Sequence, residues 1–136
     1  MSRKSKYIPG NFQLKVKKSK TGKGLFALED ISKDVCIIEY IGRSIPKEKQ
    51  DSASGKYLFT TGKDLMIDGN ISENTARYIN HACKPNCVAK GPRGHVYIFS
   101  LRKIKAGEEL TYDYGKDYFD EYIKPIGCKC DSCLNK

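Results

Sequence analysis

Residues 76–87 form a short run of polar and metal-capable side chains, and this run constrains the chain more than any other stretch. Asn80 and His81 are adjacent, so their side chains cannot share one face of a helix. Pro85 lies just beyond them, and proline has a fixed φ and no N–H, which excludes a regular helix or a central strand there. We therefore predict a helix end that runs into a rigid turn, from which Asn80, His81 and Cys83 project in different directions. By itself the run fits either an Asx-type turn beside a buried histidine or a functional corner.

The length and composition of the chain favour a single compact domain. With 136 residues, 39% of them hydrophobic and 30% charged, the chain can bury one modest core. No apolar run is long enough to cross a membrane, and no apolar segment follows the basic N-terminus, so we expect neither a membrane partner nor a secretory signal. The six cysteines are then expected to be reduced thiols or metal ligands. The expected location is intracellular: the nucleus and chromatin if the protein is eukaryotic or is delivered to a host, and the cytoplasm otherwise.

Positive charge is concentrated at the N-terminus. Residues 1–24 contain eight of the 25 Lys and Arg residues and no acid, which leaves 17 basic residues against 16 acidic ones in the rest of the chain. Residues 1–11 are predicted to be a flexible basic lead. The alternation of Phe12, Leu14 and Val16 with polar residues predicts a half-buried strand after it. This basic arm could contact the phosphates of nucleic acid or of a nucleosome, or it could be a solvated face.

Short β-branched and aromatic runs between glycine turns predict a mostly β, irregular domain. Strands are predicted at 12–18, 35–41, 57–61, 65–68, 86–89 and 95–101. Apolar character resumes at 25–28, and a turn at 106–107 leads into 109–114. Segment 46–55 is predicted to be a loop or a short helix, and Ser72 is predicted to cap a short helix that ends at Ile79. The pattern does not specify how the strands pair.

Three cysteines near the C-terminus, Cys128, Cys130 and Cys133, have the spacing C-x-C-x-x-C. Three thiolates at this spacing can face one ion, and Zn²⁺ takes four tetrahedral ligands with a preference for sulfur and nitrogen. Cys83 is the natural fourth ligand, with His81 and Cys87 as substitutes. The ion would then fasten the C-terminal tail to the Asn80–His81 corner and supply most of the folding energy of that tail. The alternative is three reduced surface cysteines.

Four motifs together resemble one known family, and they occur in the family's order over nearly the whole chain. They are GKGLFA at 22–27, EYIG at 39–42, RYINHACKPNC at 77–87 and GEELTYDYG at 107–115. With the cysteine tail, the third and fourth motifs are highly specific. The chain resembles the SET-domain protein lysine methyltransferases that carry a post-SET zinc-binding tail. The resemblance assigns residues 12–117 to the SET domain and residues 118–136 to the post-SET segment.

The resemblance implies a mostly β SET-domain fold of small curved sheets with a pseudoknot and short helices, followed by a small zinc-bound C-terminal tail. The pseudoknot would bring the third and fourth motifs into one site. Two departures stand out: Ala82 replaces the usual serine, and two residues separate the last cysteines where many relatives have four. A preceding cysteine-rich segment is also missing. The chain is therefore expected to be a minimal, stand-alone version or an excised catalytic fragment.

The activity implied by the resemblance is transfer of a methyl group from S-adenosylmethionine to a lysine ε-amine of a protein, with histones or histone-like proteins as substrates. Tyr114 would be the catalytic tyrosine, and Tyr40 and Tyr112 would line the lysine channel. A tyrosine at position 112 leaves less room for added methyl groups, so we expect mainly monomethylation with some dimethylation. The residues expected to contact the cofactor are Lys23, Gly24, Leu25, Tyr57, Arg77, Asn80, His81, Tyr114 and Leu134.

Two other interpretations remain open. The chain could be a catalytically silent SET-like module that binds nucleic acid or chromatin through its basic arm. It could also be a small zinc-stabilised interaction protein. The intact Asn80, His81, Tyr40 and Tyr114 argue against a silent module, and the second interpretation leaves the tyrosine cluster unexplained.

Overall fold

The structure is a computed structural model, and it describes residues 7–19, 22–50, 57–62, 65–92 and 94–113. These residues form ten short strands, one α-helical turn and one 3-10 turn. In chain order they are β1 (Leu14–Ser19), β2 (Gly22–Ala27), β3 (Cys36–Tyr40), β4 (Arg43–Ser44), α1 (Lys47–Gln50), β5 (Leu58–Gly62), β6 (Leu65–Asp68), the 3-10 helix (Thr75–Tyr78), β7 (Asn80–His81), β8 (Cys87–Lys90), β9 (Val96–Ser100) and β10 (Thr111–Tyr112).

The strands form four small sheets. Strands β1 and β2 are an antiparallel hairpin, β3–β9–β8 and β4–β6–β5 are antiparallel three-stranded sheets, and β10 pairs with β7 in parallel. Isolated bridges join Phe26 to Glu109 and Ile31 to Ile104. The late segments of the chain are therefore fastened to the early hairpin and to the loop that follows it. This arrangement confirms the predicted mostly β fold of small sheets.

One hydrophobic core lies beneath all four sheets. Its most completely buried members are aliphatic side chains from the hairpin, from the central strands and from the segment before β10. They include Leu25, Ile37, Ile79, Ile98 and Leu110. Aliphatic burial at this density supplies the main free energy that holds such small sheets together, because two-stranded and two-residue ladders are marginal alone.

The described part of the N-terminal lead contacts the body of the domain. Tyr7 stacks on Tyr97 with ring centroids 5.4 Å apart, and its ring meets Phe99 edge-on at 5.8 Å. The backbone N–H of Gly10 donates to the carbonyl of Cys36 at 2.9 Å. Residues 7–10 therefore lie along the β3–β9 sheet, whereas residues 1–6 of the predicted lead lie outside the described residues.

The predicted helix at Ser72 differs from the structure. The 3-10 turn begins at Thr75 after Asn74, and no side chain caps it. The Ser72 hydroxyl instead donates to the Glu73 carboxylate at 2.6 Å. Asn74 is fully buried, and its amide accepts from the Ile41 N–H and donates to the Gly69 carbonyl. Because the Asn74 side chain links two loops, it is not available to the helix, which remains a single turn.

Among the described residues, no helix has the length and apolar character needed to cross a membrane.

Candidate functional site

The parallel pair β7–β10 brings together two motifs that lie about thirty residues apart in the sequence. Asn80 is the register partner of Thr111, and His81 is the partner of Tyr112. The backbone N–H of Ala82 also donates to the Tyr112 carbonyl at 3.2 Å. The third and fourth sequence motifs therefore share one site, as the resemblance implied. Sequence periodicity alone could not give this pairing, because each strand has only two residues.

Asn86 holds this junction in place, and the sequence did not single it out for this role. Its side chain is buried, its Nδ2 donates to the Glu109 carbonyl at 2.8 Å, and its Oδ1 accepts from the Thr111 N–H at 2.9 Å. The nitrogen and the oxygen of the Asn86 side-chain amide are therefore both hydrogen-bonded to the backbone of residues 109–111. The rigid turn at Pro85 presents Asn86 to that segment, which explains why the proline-containing run lies beside the strand that ends in Tyr112.

Three aromatic side chains form the aromatic wall of the site: Tyr40, Phe59 and Tyr112. The rings of Tyr40 and Phe59 lie 5.1 Å apart at 56°, and those of Phe59 and Tyr112 lie 6.1 Å apart at 29°. Tyr40 and Tyr112 are 3% and 6% exposed, so the wall is nearly dry. The structure therefore brings together the two predicted channel tyrosines and adds Phe59. The sequence marked Phe59 only as part of the strand predicted at 57–61.

A glycine makes room for Tyr40. A Cβ on Gly69 would overlap Cε1 and the hydroxyl oxygen of Tyr40. The Gly69 N–H also donates to the carbonyl of Tyr57 at 2.8 Å, and the Tyr40 hydroxyl donates to the same carbonyl at 3.0 Å. The backbone carbonyl of Tyr57 therefore fixes the direction of the Tyr40 hydroxyl, while the cofactor contact predicted for Tyr57 stays a prediction. Its side chain is half-buried.

The segment Lys23-Gly24-Leu25 lies against Asn80, and the cofactor contacts predicted for these residues stay predictions. The Asn80 Nδ2 donates to the Lys23 carbonyl at 3.0 Å, and a Cβ on Gly24 would lie 3.2 Å from the same nitrogen. Leu25 is fully buried, and its carbonyl accepts from the Leu110 N–H at 2.8 Å. The Leu25 side chain therefore belongs to the core, and only its backbone remains as a candidate for ligand contact.

Arg77 braces the 3-10 turn. Its guanidinium donates to Asn70 Oδ1 at 2.9 Å and to the Tyr78 hydroxyl at 2.7 Å. Its Nε is buried and has no hydrogen-bond partner among the described residues. The guanidinium carbon and Lys23 Nζ also lie 4.8 Å and 5.7 Å from the centroid of the Tyr78 ring. These contacts give Arg77 a structural role at the edge of the site, and its predicted cofactor contact remains a prediction.

His81 lies between two groups that could orient its ring. Nε2 is 3.4 Å from the Cys83 sulfur, and Nδ1 is 3.8 Å from Asp113 Oδ1. The His81 side chain is 5% exposed, whereas the Asp113 side chain is 59% exposed. A nearly buried imidazole beside a thiol and a carboxylate is consistent with the functional corner expected at this position.

The donor set expected for zinc is only partly visible. Cys83 is exposed on its turn, whereas Cys128, Cys130 and Cys133 lie outside the described residues, as do Tyr114 and Leu134. Within the described ranges no three His, Cys, Asp or Glu side chains form a metal-binding group. The exposure of Cys83 is compatible with its predicted role as a zinc ligand. The zinc site remains a prediction.

Cys87 does not fit the role of substitute zinc ligand. Its side chain is 1% exposed in β8, and burial raises the pKa of its thiol to about 12. A metal binds the thiolate, which burial disfavours here. The other histidine, His95, is exposed, and its Nδ1 lies 3.2 Å from Glu39 Oε2.

Comparisons with known proteins give one family. The model of the SET domain matches residues 22–115. The chain is 41% identical over 125 residues to the histone-lysine N-methyltransferase trr of Drosophila melanogaster, covering 82% of this chain and 5% of that protein. It is 40% identical over 121 residues to the human histone-lysine N-methyltransferase 2D, covering 80% of this chain and 2% of that protein. The chain therefore spans only a small part of the length of these relatives.

Solved structures of similar fold support the same family assignment. One is KRYPTONITE in complex with mCHG DNA and SAH, with a TM-score of 0.68, 30% identity, and coverage of 78% of this chain and 24% of that chain. Another is the Chaetomium thermophilum Polycomb repressive complex 2, with a TM-score of 0.70, 31% identity, and coverage of 79% and 16%. By sequence, by fold and by the pairing of its two central motifs, this chain belongs to the SET-domain family.

Proposed function

We propose that this chain is a protein lysine N-methyltransferase that uses S-adenosylmethionine as its methyl donor. The observation that carries the proposal is the aromatic wall of Tyr40, Phe59 and Tyr112, which adjoins the paired strands of Asn80 and His81. An aromatic, nearly dry surface suits an alkyl amine, and the tyrosine hydroxyls can orient its nitrogen. The names of the relatives, which are histone-lysine methyltransferases, support the same reaction.

The reaction requires a neutral lysine amine. A lysine with its ordinary pKa near 10.4 loses its proton at neutral pH at a cost of about 4–5 kcal/mol, at 1.36 kcal/mol per pH unit. The aromatic wall lowers this cost because burial disfavours the ammonium form. Alignment of the amine with the methyl donor at about 3–3.5 Å would supply much of the remaining acceleration. No dedicated general base is then required.

Residues from three segments would hold the cofactor. The backbone around Lys23, Gly24 and Leu25 would approach its amino-acid end, and Asn80 and His81 would contact it directly. When bound, S-adenosylmethionine supplies a methyl group on a positively charged sulfur. Two solved structures of similar fold, KRYPTONITE with SAH and the Chaetomium complex with S-adenosylmethionine, support this class of ligand.

Outside the described residues, three further assignments are part of the proposal. Tyr114 would be the catalytic tyrosine beside the amine, and it directly follows Asp113 at the end of the described chain. Leu134 would cover the adenine. Zinc held by Cys83 with Cys128, Cys130 and Cys133 would order the tail that carries Leu134.

A histone or a histone-like protein is the proposed substrate, with chromatin as the place of action. The relative from Schizosaccharomyces pombe is named as specific for lysine 4 of histone H3 and is 40% identical over 121 residues. Tyr112 favours monomethyl-lysine as the main product with dimethyl-lysine as a lesser one, because its hydroxyl occupies space beside the amine. The ring of Phe59 stacks on that of Tyr112, with centroids 6.1 Å apart.

The experiment that tests the proposal is methyl transfer from labelled S-adenosylmethionine to core histones, ribosomal proteins and a whole-cell extract. We expect label on a defined protein band, lost in Tyr114→Phe and kept in Tyr97→Phe. Tyr97 is the matched control because it stacks on Tyr7 at the outer face of the β3–β9 sheet, away from the aromatic wall. Absence of label on every protein, despite measurable cofactor binding, would favour the silent binding module.

We also propose that the β1–β2 hairpin contacts nucleic-acid phosphates. Lys15, Lys17 and Lys18 are exposed on β1, and Lys18 lies directly opposite Lys23 on β2. Like charges at directly opposed positions are destabilising, and among the described residues none of these lysines forms an ion pair. An external polyanion would relieve this repulsion.

Fluorescence anisotropy with a DNA duplex over a range of salt concentrations tests the hairpin. The triple variant Lys15→Gln, Lys17→Gln, Lys18→Gln is expected to lower the slope of log affinity against log salt by about 2–3. The control is a triple variant of three exposed lysines outside the hairpin, Lys33, Lys103 and Lys105. It should retain most of the slope of log affinity against log salt. Equal slopes for the two triple variants would reject the hairpin as the contact.

A further inference from the structure

Glu109 is held rigidly beside the proposed cofactor site. Its backbone forms a bridge to Phe26 on β2, and its carbonyl accepts from Asn86 Nδ2 at 2.8 Å. Its side chain is partly buried, and Oε2 accepts from Asn80 Nδ2 at 2.7 Å. A carboxylate fixed through both its main chain and its side chain is well suited to hold another group in place.

The Asn80 amide makes all its described contacts through one end. Nδ2 lies 2.7 Å from Glu109 Oε2, 3.0 Å from the Lys23 carbonyl and 3.2 Å from Ser19 Oγ. A carboxylate and a backbone carbonyl only accept hydrogen bonds, so the end of the amide that faces them must be the donating nitrogen. If the amide were reversed, its oxygen would face the Glu109 carboxylate and the Lys23 carbonyl, neither of which can donate a hydrogen bond. Within the described residues, no group donates to Asn80 Oδ1.

Gly24 leaves the space in which this contact forms. A Cβ at Gly24 would overlap Glu109 Oε2 and would lie 3.2 Å from Asn80 Nδ2. The φ of Gly24 is not in the left-handed region, so close approach, and not backbone conformation, is what excludes a side chain here. Three sequence motifs thus meet at one hydrogen bond: the glycine turn, the Asn-His pair and the segment that leads to β10.

We propose that Glu109 is a positioning residue for the cofactor: its carboxylate fixes the Asn80 amide so that Oδ1 remains free to accept a hydrogen bond from the ammonium group of S-adenosylmethionine. The proposal rests on the proposed function and adds a residue that does not itself touch the reacting atoms. Without the Glu109 carboxylate, the Asn80 amide would lose the hydrogen bond that fixes its orientation, and its oxygen would no longer be held toward the cofactor. The adjacent Glu108 does not share this role, because it pairs with Arg102 at 3.1 Å.

Calorimetric titration of the full chain with S-adenosylmethionine tests the proposal. Glu109→Gln keeps the size of the side chain but can present either an acceptor or a donor to Asn80, so we expect affinity to fall about tenfold. Glu108→Gln is the matched control, one residue away on a surface ion pair, and its affinity should remain within about twofold of the unchanged protein. Equal affinity for Glu109→Gln and the unchanged protein would overturn the proposal.

A second ligand separates positioning from general damage to the site. 5′-Methylthioadenosine contains the adenosine and the sulfur but lacks the ammonium group. Glu109→Gln should therefore bind it as well as the unchanged protein does, whereas a general distortion of the site would weaken both ligands. Equal loss of affinity for both ligands would reject positioning through Asn80 Oδ1. Glu109→Asp keeps the charge but withdraws it from Asn80, and provides the same comparison if Glu109→Gln does not fold.

A double-mutant cycle tests whether the two side chains act together. Asn80→Asp alone places two carboxylates at a hydrogen-bond distance and should weaken binding more than tenfold. Adding Glu109→Gln restores a donor opposite Asp, so the double variant should bind the cofactor more tightly than Asn80→Asp alone. Effects that simply multiply would reject the coupling.

The outcomes for the two proposals are distinct. If the unchanged protein binds no S-adenosylmethionine, the proposed function and this inference both fail. If it binds the cofactor and the Glu109 variants bind equally well, this inference alone fails.

Discussion

The Tyr40 hydroxyl donates a 3.0 Å hydrogen bond to the backbone carbonyl of Tyr57, and the same carbonyl accepts the Gly69 N–H at 2.8 Å. Tyr40 ends β3, whereas Tyr57 lies just before β5. One carbonyl therefore fixes the hydroxyl of a buried tyrosine relative to a neighbouring sheet. This hydrogen bond sets the direction of the Tyr40 hydroxyl at the aromatic wall.

Replacement of Tyr40 by phenylalanine should reduce catalysis more than stability. The Tyr57 carbonyl keeps its bond from Gly69, so the free energy of unfolding should fall by only about 0.5–1.5 kcal/mol. The rate of methyl transfer should fall about tenfold or more, because a hydrogen bond that orients the amine is lost. Chemical denaturation and initial-rate assays of Tyr40→Phe, with Tyr97→Phe as the control, measure both quantities. A rate equal to that of the control would contradict the channel role of Tyr40.

Tyr112→Phe should change the product and not merely the rate. Removing the hydroxyl leaves more room beside the amine, while the ring can still stack on Phe59. Mass spectrometry of a substrate peptide should show a shift from monomethyl-lysine toward dimethyl- and trimethyl-lysine. An unchanged distribution of products at equal turnover would reject the steric role of this hydroxyl.

Gly69→Ala should disturb the aromatic wall through Tyr40. The added methyl group would overlap the ring edge and hydroxyl of Tyr40, and such overpacking costs about 1–3 kcal/mol in stability. Gly107→Ala is a useful contrast, because Gly107 has a φ of 94° with open space around it. That variant should also lose about 1–2 kcal/mol through backbone strain, but it should keep its activity. If both variants kept full activity, Tyr40 would not need its observed position.

Removal of the predicted zinc should weaken cofactor binding. Cys83 is exposed beside His81, and zinc held there with the three tail cysteines would order the segment that carries Leu134. A chelator, or Cys83→Ser, is therefore expected to lower the calorimetric affinity for S-adenosylmethionine, and metal analysis should show about one zinc per chain before treatment. Affinity unaffected by complete chelation would separate the tail from the cofactor site.

The buried thiols should make the domain less stable at high pH. Burial raises the pKa of Cys87 from 9.0 to about 12, and burial together with Glu39 raises that of Cys36 from 9.0 to about 11. Above pH 9 the unfolded chain loses protons that the folded chain retains, so the stability present below pH 9 declines as pH rises toward these values. The limiting slope is about 1.4 kcal/mol per pH unit for each thiol.

Denaturation of the unchanged protein and of Cys87→Ala at pH 8, 9 and 10 measures this decline. The variant should be less stable at every pH, because a buried side chain is truncated, but its stability should fall less steeply above pH 9. Parallel curves for the two proteins would show that Cys87 does not contribute to the alkaline loss.

Much of the strand pattern was predictable, because runs of β-branched and aromatic residues favour strands through their local conformational preference. Strand β6 (Leu65–Asp68) begins and ends where the sequence predicted, and β3 lies within its predicted run. The prediction was weakest for β4 and β7, which have two residues each and exist only because another segment pairs with them. The helix predicted from Ser72 was wrong in its cap, because tertiary contacts recruit Asn74 for another purpose.

The sequence by itself marked the residues that we expect to carry the chemistry. The Asn80–His81 pair, the tyrosines at 40 and 112, and the glycines that allow close backbone approach all lie in short motifs. Tertiary structure decided what those residues face. Phe59 completes the aromatic wall, Asn86 fastens the paired strands, and Glu109 holds the Asn80 amide. Asn86 and Glu109 lie within the motifs, but the sequence did not indicate these contacts. The physical reason is that a hydrogen bond or ring contact between distant segments depends on how the sheets pair, and strands this short do not encode their partners.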